Sequence, residues 1–291
     1  FPENYNFDKD ELVWLWMAEG LIRPKVAGAQ YFEWVLLEVL GGDAFDEVLS
    51  QSVLQVYCPF NQEPQTYRMH EFIHRYAQYI ASDMYIRIDQ QLANKALQIR
   101  EIRHISFACP STPLELWKDL QKCEGLRTIL SLHDFTKIGQ LSYELFLKLQ
   151  WLRVLVLTRT DINMLPESLG ELKHLGLLDV SETKIKQLPK STAKLCGLLV
   201  LKLNLCSQLL QLPKDICNLT RLLYLQVDMK RLSRMPPHIG KLSNLQTLHT
   251  FKVGSEDGYR VTELKNMMYL KGSICLTNLE NVKDEAEATE A

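Results

Sequence analysis

The sequence predicts an α/β protein in two parts: a winged-helix-like α+β domain over residues 1–100 and a leucine-rich-repeat solenoid, curved as a horseshoe, over 101–291. Two observations predict the second part. The pattern LxxLxL recurs at Leu152-Leu155-Leu157, Leu175-Leu178-Val180, Leu198-Leu201-Leu203 and Leu222-Leu225-Val227, in steps of 23, 23 and 24 residues. Each copy is followed by an apolar residue and a proline: Leu165-Pro166, Leu188-Pro189, Leu212-Pro213 and Met235-Pro236. A third observation marks the first part, where helices, a hairpin and a further helix follow one another with no such period.

In chain order, DKDELVWLWMAEGLI is helical, with Asp8 as N-cap, Glu11 three residues on and Gly20 as the stop. AQYFEWVLLEVLGG predicts a second helix ended by its glycines, and DAFDEVLSQSVL a third. VLQVYCPF and QTYRMH flank the turn-rich NQEP as the strands of a hairpin. EFIHRYAQYIAS then forms a helix whose apolar face (Met69, Phe72, Ile73, Tyr76, Ala77 and Ile80) turns to the core. The change of pattern places the boundary between about 90 and 105.

In the solenoid each LxL turns two side chains inward from a short strand. Apolar residues three and six beyond the proline, such as Leu169 and Leu172 or Ile239 and Leu242, reach the same core from the returning arc; Thr192 breaks that pattern. One unit buries its apolar face only against its neighbours, so the repeats share one continuous core. Weaker copies at Ile102-Ile105-Phe107 and Leu126-Ile129 precede the four clear ones, and Leu245-Leu248 and Ile274-Leu276 follow them. The array is expected to be incomplete at 291 and the chain to be a piece of a longer protein.

Charge narrows the partners. Thirty-three Lys+Arg against 35 Asp+Glu leave a net charge of -2, no electrostatic support for nucleic acid or an acidic membrane. The first hundred residues offer no basic recognition helix, since DKDELVWLWMAEG is acidic and apolar and EFIHRYAQYIAS carries one arginine. No apolar run reaches the roughly 18 residues of a membrane span. Seven scattered cysteines without a CxxC pair read as reduced thiols of a cytoplasmic protein.

Positions 70 to 74 read HEFIH, the HExxH signature of zinc proteases, in which two histidines four apart share a helix face. A third protein ligand is missing. The extended form needs a glycine and a histidine where Ala77 and Ile80 stand, and the next glutamate, Glu101, lies at the threshold of the repeats. The protease reading therefore ranks low, and no metal is expected.

The neighbours give the motif another meaning. FPEN, KDELVWLWMAEGLI, MHEFIHRYAQ and the LPESLGELKHL repeats, in that order and over essentially the whole chain, resemble the plant nucleotide-binding leucine-rich-repeat disease-resistance proteins of the coiled-coil type. The resemblance implies that a winged-helix subdomain closes a nucleotide-binding module and carries a Met-His-Asp motif whose histidine approaches the diphosphate of bound ADP. Here the motif is Met69-His70-Glu71, with glutamate for aspartate, and the following His-Asp of the family is His74-Arg75. His70 stands near a helix start, where free N–H groups and the dipole favour an anion. There is no GxxxxGK[ST] phosphate loop, since Gly240-Lys241 is followed by Leu242. The segment is thus not expected to be an enzyme, and ADP or ATP would be held only by the full-length receptor. The resemblance implies an intracellular immune receptor whose repeats mediate autoinhibition and recognition. The partners it implies are the receptor's own upstream nucleotide-binding module and a pathogen effector or host guard protein. The alternative is a repeat scaffold without a switch.

Partner contacts are expected on the concave side, where the x positions of xLxLx stack in columns. One column is Val154, Leu177, Val200 and Tyr224; the next is Val156, Asp179, Lys202 and Gln226; a third is Thr158, Ser181, Asn204 and Asp228. The first column is apolar and is expected to be exposed, as a binding strip.

Overall fold

The computed structural model describes residues 1–22, 33–57, 65–89, 101–112, 114–133, 135–229 and 231–290. Helix α1, Lys9–Glu19, is capped as expected: the Asp8 carboxylate accepts from the Glu11 N–H, and Gly20 ends the helix at φ 72°. Helix α2, Glu33–Ser50, runs through Gly41 and Gly42 without a break, so the two helices expected there are one. The reason is packing. A Cβ on Gly41 would lie 2.5 Å from Val13 Cγ1, so the glycine lets α2 approach α1. That contact offsets the roughly 1 kcal/mol that glycine costs inside a helix.

Strands β1 (Leu54–Tyr57) and β2 (Thr66–Met69) pair antiparallel, with Leu54 opposite Met69, and lead into helix α3, Glu71–Ile80. The NQEP turn and the first residues expected of the second helix lie outside the described residues. The expected core face of α3 is overturned. Phe72, Tyr76 and Ile80 are 75%, 63% and 59% exposed, as is Tyr79 at 80%. The helix instead turns His74 inward, toward the ring cluster of Phe1, Tyr5 and Phe7.

Seven parallel strands in chain order make the solenoid sheet: β3 (Tyr85–Ile88), β4 (His104–Phe107), β5 (Thr128–Ser131), β6 (Val154–Val156), β7 (Leu177–Asp179), β8 (Val200–Leu203) and β9 (Tyr224–Val227). Tyr85 pairs with His104, so the sheet already includes a strand upstream of 101. Residues 90–100, where the boundary was expected, lie outside the described residues. Further on, β10 (Thr250–Lys252) and β11 (Cys275–Thr277) form a separate parallel pair, and helix α6, Glu285–Thr289, follows. The returning arcs are helices α4 (Leu114–Leu120) and α5 (Tyr143–Lys148) in the early repeats, then 3₁₀ turns over 167–171, 190–194 and 214–218, each after its proline.

The core between strands and arcs is that of the repeat pattern. Leu155, Leu178, Leu201 and Leu225 from the strands meet Leu169, Leu172, Ile216 and Leu219 from the arcs, all buried. Thr192 occupies the position of Leu169 and Ile216, is fully buried, and its hydroxyl has no hydrogen-bond partner.

Candidate functional site

His70 is the N-cap of α3, held by the preceding strand in extended backbone at φ -60°, ψ 137°. Its Nδ1 accepts from the Phe72 N–H at 3.2 Å, and its ring stacks on Phe72 with centroids 5.6 Å apart. Because Nδ1 is the acceptor, the neutral ring carries its proton on Nε2. A half-buried ring so fixed is a ready donor to an anion at the helix start. Beside it Glu71 pairs with Arg75 at 2.5 Å, one helical turn on. The pair is exposed on both sides and sets a positive charge beside the Glu71 carboxylate next to the N-cap. His74 is engaged elsewhere, buried, with Nε2 3.0 Å from the Phe1 carbonyl oxygen. The described residues hold no group of three or more His, Cys, Asp or Glu placed to share a metal.

The columns stack in the expected register: Val154 pairs with Leu177, Leu177 with Val200 and Val200 with Tyr224, while Val156, Asp179, Lys202 and Gln226 form the next row. The first column is not exposed as expected. Val154, Leu177, Val200 and Tyr224 are all buried, none more than 4% exposed, because α1 lies across them. Trp14 packs on Tyr224 with ring centroids 4.6 Å apart, and Ala18 comes so close to the sheet that a Cβ on Gly176 would lie 2.9 Å from its Cα. The apolar strip is an interface already filled, and its occupant is this chain's own first helix.

Polar contacts fix α1 at both ends. Glu11, near its start, pairs with Lys202, which also holds Asp179 at 3.3 Å. Burial alone would lower the Lys202 pKa, but Asp179 and Glu11 outweigh it and raise it above its ordinary value. At the other end the Thr128 hydroxyl donates to the Glu19 carboxylate, and the Arg153 guanidinium donates to the Glu19 carbonyl. His104 Nδ1 lies 2.8 Å from the same Thr128 hydroxyl. Between α1 and the concave face a cleft of about 480 Å³ remains open, with Trp14 and Tyr5 on one side and Val156, Asp179 and Lys202 on the other. Arg159, Glu182 and Leu205, each held at φ 56–57°, form its rim.

Residues 1–77 match the family model described as the disease resistance protein winged helix domain, and residues 102–211 match a leucine-rich repeat region. Disease resistance protein At3g14460 of Arabidopsis thaliana is 33% identical over all of this chain and 20% of its own length. Disease resistance RPP13-like protein 1 of the same plant is 34% identical over all of this chain and 27% of its own. Disease resistance protein RGA4 of Solanum bulbocastanum is 32% identical over 99% of this chain and 25% of its own. The chain belongs to the plant disease resistance proteins.

It spans about a quarter of the length of these disease resistance relatives. Among its described residues no helix is long and apolar enough to cross a membrane. Sequence reasoning missed α1 as a functional element of this disease resistance segment, although a signal was present. Seven apolar residues in a row, Leu12 to Ala18, leave no polar face over two turns, and such a helix is covered on more than one side. Gly176 and Glu19 were also missed, and no local pattern marks them, because what they touch lies more than a hundred residues away.

Proposed function

We propose that this segment is the switch and sensor portion of an intracellular plant immune receptor, held off by the packing of its winged-helix domain on the concave face of its own repeats. The observation that carries the reading is the burial of Val154, Leu177, Val200 and Tyr224 under α1. A surface that a repeat protein ordinarily offers to partners is here closed by the domain that carries the nucleotide-sensing motif. His70 is the sensor: ring-capped, half-buried and with Nε2 as donor, it fits a phosphate oxygen of ADP held by the module upstream. Bound diphosphate would supply the negative charge. The chain supplies the donor, its orientation by the Phe72 N–H and the stacked ring, and the Glu71 carboxylate paired with Arg75 beside it. Recognition of an effector or guard protein by the repeats then competes with the closed arrangement.

In the full-length receptor, His70→Ala is expected to lower ADP retained through purification by about tenfold, the worth of one charge-assisted hydrogen bond. The 291-residue chain should stay folded, with its melting temperature lowered by no more than a few degrees, the loss of the cap contact from His70 to the Phe72 N–H. Unchanged ADP retention would favour the scaffold reading instead.

A further inference from the structure

We propose that the strand-entry edge of the solenoid carries a slot for an arginine side chain of a partner protein. Trp151 forms one wall, Glu101 the other, and Gly125 the floor. The slot lies outside the strip that α1 covers, so it does not depend on the closed arrangement.

The register of the repeats builds it. Glu101, Gly125, Trp151, His174 and Gly197 each stand three residues before one paired row, His104, Thr128, Val154, Leu177 and Val200. Four of these strands are entered by the same turn. The N–H groups of Leu126, Leu152, Leu175 and Leu198 donate to the carbonyls of Cys123, Leu149, Leu172 and Leu195 at 2.9–3.1 Å. The row is therefore stacked along the solenoid edge. Trp151 lies flat on His174, with ring centroids 4.9 Å apart and planes 4° from parallel. That separation repeats the strand spacing of about 4.8 Å.

His174 covers one face of the indole. Trp151 stays 55% exposed, and its other face looks along the row to Gly125, which has no side chain. A Cβ placed on Gly125 would meet nothing within 4 Å, so the place is open. One step further stands Glu101, exposed, and the equally exposed Glu124 lies next to the glycine. Among the described residues neither carboxylate is ion-paired. Trp151 and Glu101 are two strand spacings apart, about 10 Å, which leaves room for one flat group on the indole with a carboxylate at its rim.

Charge and shape select the occupant. The chain's own cations nearby are directed elsewhere. Arg153 donates to the Glu19 carbonyl on the concave side, with Arg103 and Arg127 in its row, and Lys173 donates to the Gly170 carbonyl. Two unpaired carboxylates beside a bare indole face repel a phosphate and attract a cation. Guanidinium suits both walls, because it is planar, stacks on an aromatic face and offers N–H groups at its rim to a carboxylate. An ammonium meets the carboxylate as a point charge and has no flat face to lay on the ring. Tryptophan and arginine are also both enriched at the energetic centres of protein interfaces, so a bare tryptophan beside an arginine-shaped gap fits a protein partner.

The test follows the Trp151 indole N–H of the 291-residue chain by NMR, assigned with Trp151→Phe, as acetyl-Gly-Arg-Gly-amide is added. The resonance should move and saturate with a midpoint of about 10 mM, the strength of one side chain held by a ring and a carboxylate. The same peptide with citrulline, which keeps the shape and loses the charge, should bind at least about fivefold more weakly, and the lysine peptide about threefold. Gly125→Leu fills the slot at a place where a Cβ meets nothing, and should abolish the shift with the circular dichroism unchanged. Glu101→Gln with Glu124→Gln should weaken binding about fivefold, and decides the matter if the leucine chain does not fold. The proposal is overturned if the citrulline peptide moves the resonance equally, if the arginine peptide still does so in the Gly125→Leu chain, or if no saturable shift is seen by about 50 mM. A Trp151 resonance that moves on dilution of the chain alone would make a second copy the occupant, and overturns it too. Neither ADP nor the covered strip enters these readings, so their failure leaves the proposed function standing, and the reverse holds as well.

Discussion

Two residues of the solenoid hold polar groups largely shielded from water, and they do so with opposite consequences. The Thr192 hydroxyl is fully buried with no partner, in a position other repeats fill with leucine or isoleucine. Thr192→Val keeps the shape and removes the unmet group, so the expected gain is about 1 kcal/mol, read as a higher denaturant midpoint at unchanged slope. Lys202 is the reverse case, a shielded cation with both its carboxylates in place. Lys202→Met leaves Asp179 buried without a counter-charge, and the expected loss is roughly 3 kcal/mol in the same measurement. The sign of the pH dependence follows from the raised Lys202 pKa. Its contribution is fully present below the ordinary value of 10.5 and is lost as pH rises through the higher folded value. Alkaline titration of the Trp14 fluorescence should therefore show the interface loosening only above 10.5, and the Lys202→Met chain should lack that step. At this scale much was legible: Asp8, Gly20 and the misfit of Thr192 are local patterns with local causes. Gly176 was not, because a glycine in a repeat does not say which backbone approaches it.

Elements carry a period that says which side chains share a face, and the face is all it says. Helix α3 has a regular apolar stripe, which predicts a core face, and the fold reverses it: Phe72, Tyr76, Tyr79 and Ile80 stand in solvent. What covers a stripe is a tertiary fact. Helix α1 shows the complementary case, with no stripe at all and burial on both sides, against α2 through Val13 and against the repeats through Trp14. The hairpin and the end of α1 were legible because their turn and cap residues act within a few positions. The fusion of two expected helices into α2 was not, since Gly41 serves a neighbour and not a terminus. These faces predict different responses to mutation. Phe72→Ser with Tyr79→Ser should shift stability by less than about 0.5 kcal/mol, the range of ordinary surface changes, while lowering any concentration-dependent association seen by light scattering. A melting temperature lowered by many degrees would mean that the stripe is packed after all.

At the scale of the whole molecule, the winged helix and the solenoid are joined by an interface that neither half's sequence announces. The repeat period set the first two columns correctly, residue for residue, because stacking in a parallel sheet leaves no freedom of register. It could not reveal that one column is covered, since the cover comes from a helix some 140 to 210 positions earlier in the chain. The consequence is a prediction about trimming. Residues 81–291 retain β3, which seals the edge of β4, but they lose α1 and bare Val154, Leu177, Val200 and Tyr224 together. Each such side chain is worth about 1.5–3 kcal/mol of burial, so the bared strip should drive self-association. Light scattering should find the trimmed chain as dimers or larger species at concentrations where the 291-residue chain is monomeric. Starting at 101 instead should be worse, because the edge of β4 is then open as well. Replacing Leu177 and Tyr224 by serine in the 81–291 chain removes the two largest apolar side chains of the column and should return it to a monomer. A trimmed chain that stays monomeric with leucine and tyrosine in place would show that the strip does not need its cover, and the closed arrangement would then have to be held by the Glu11 and Glu19 contacts alone.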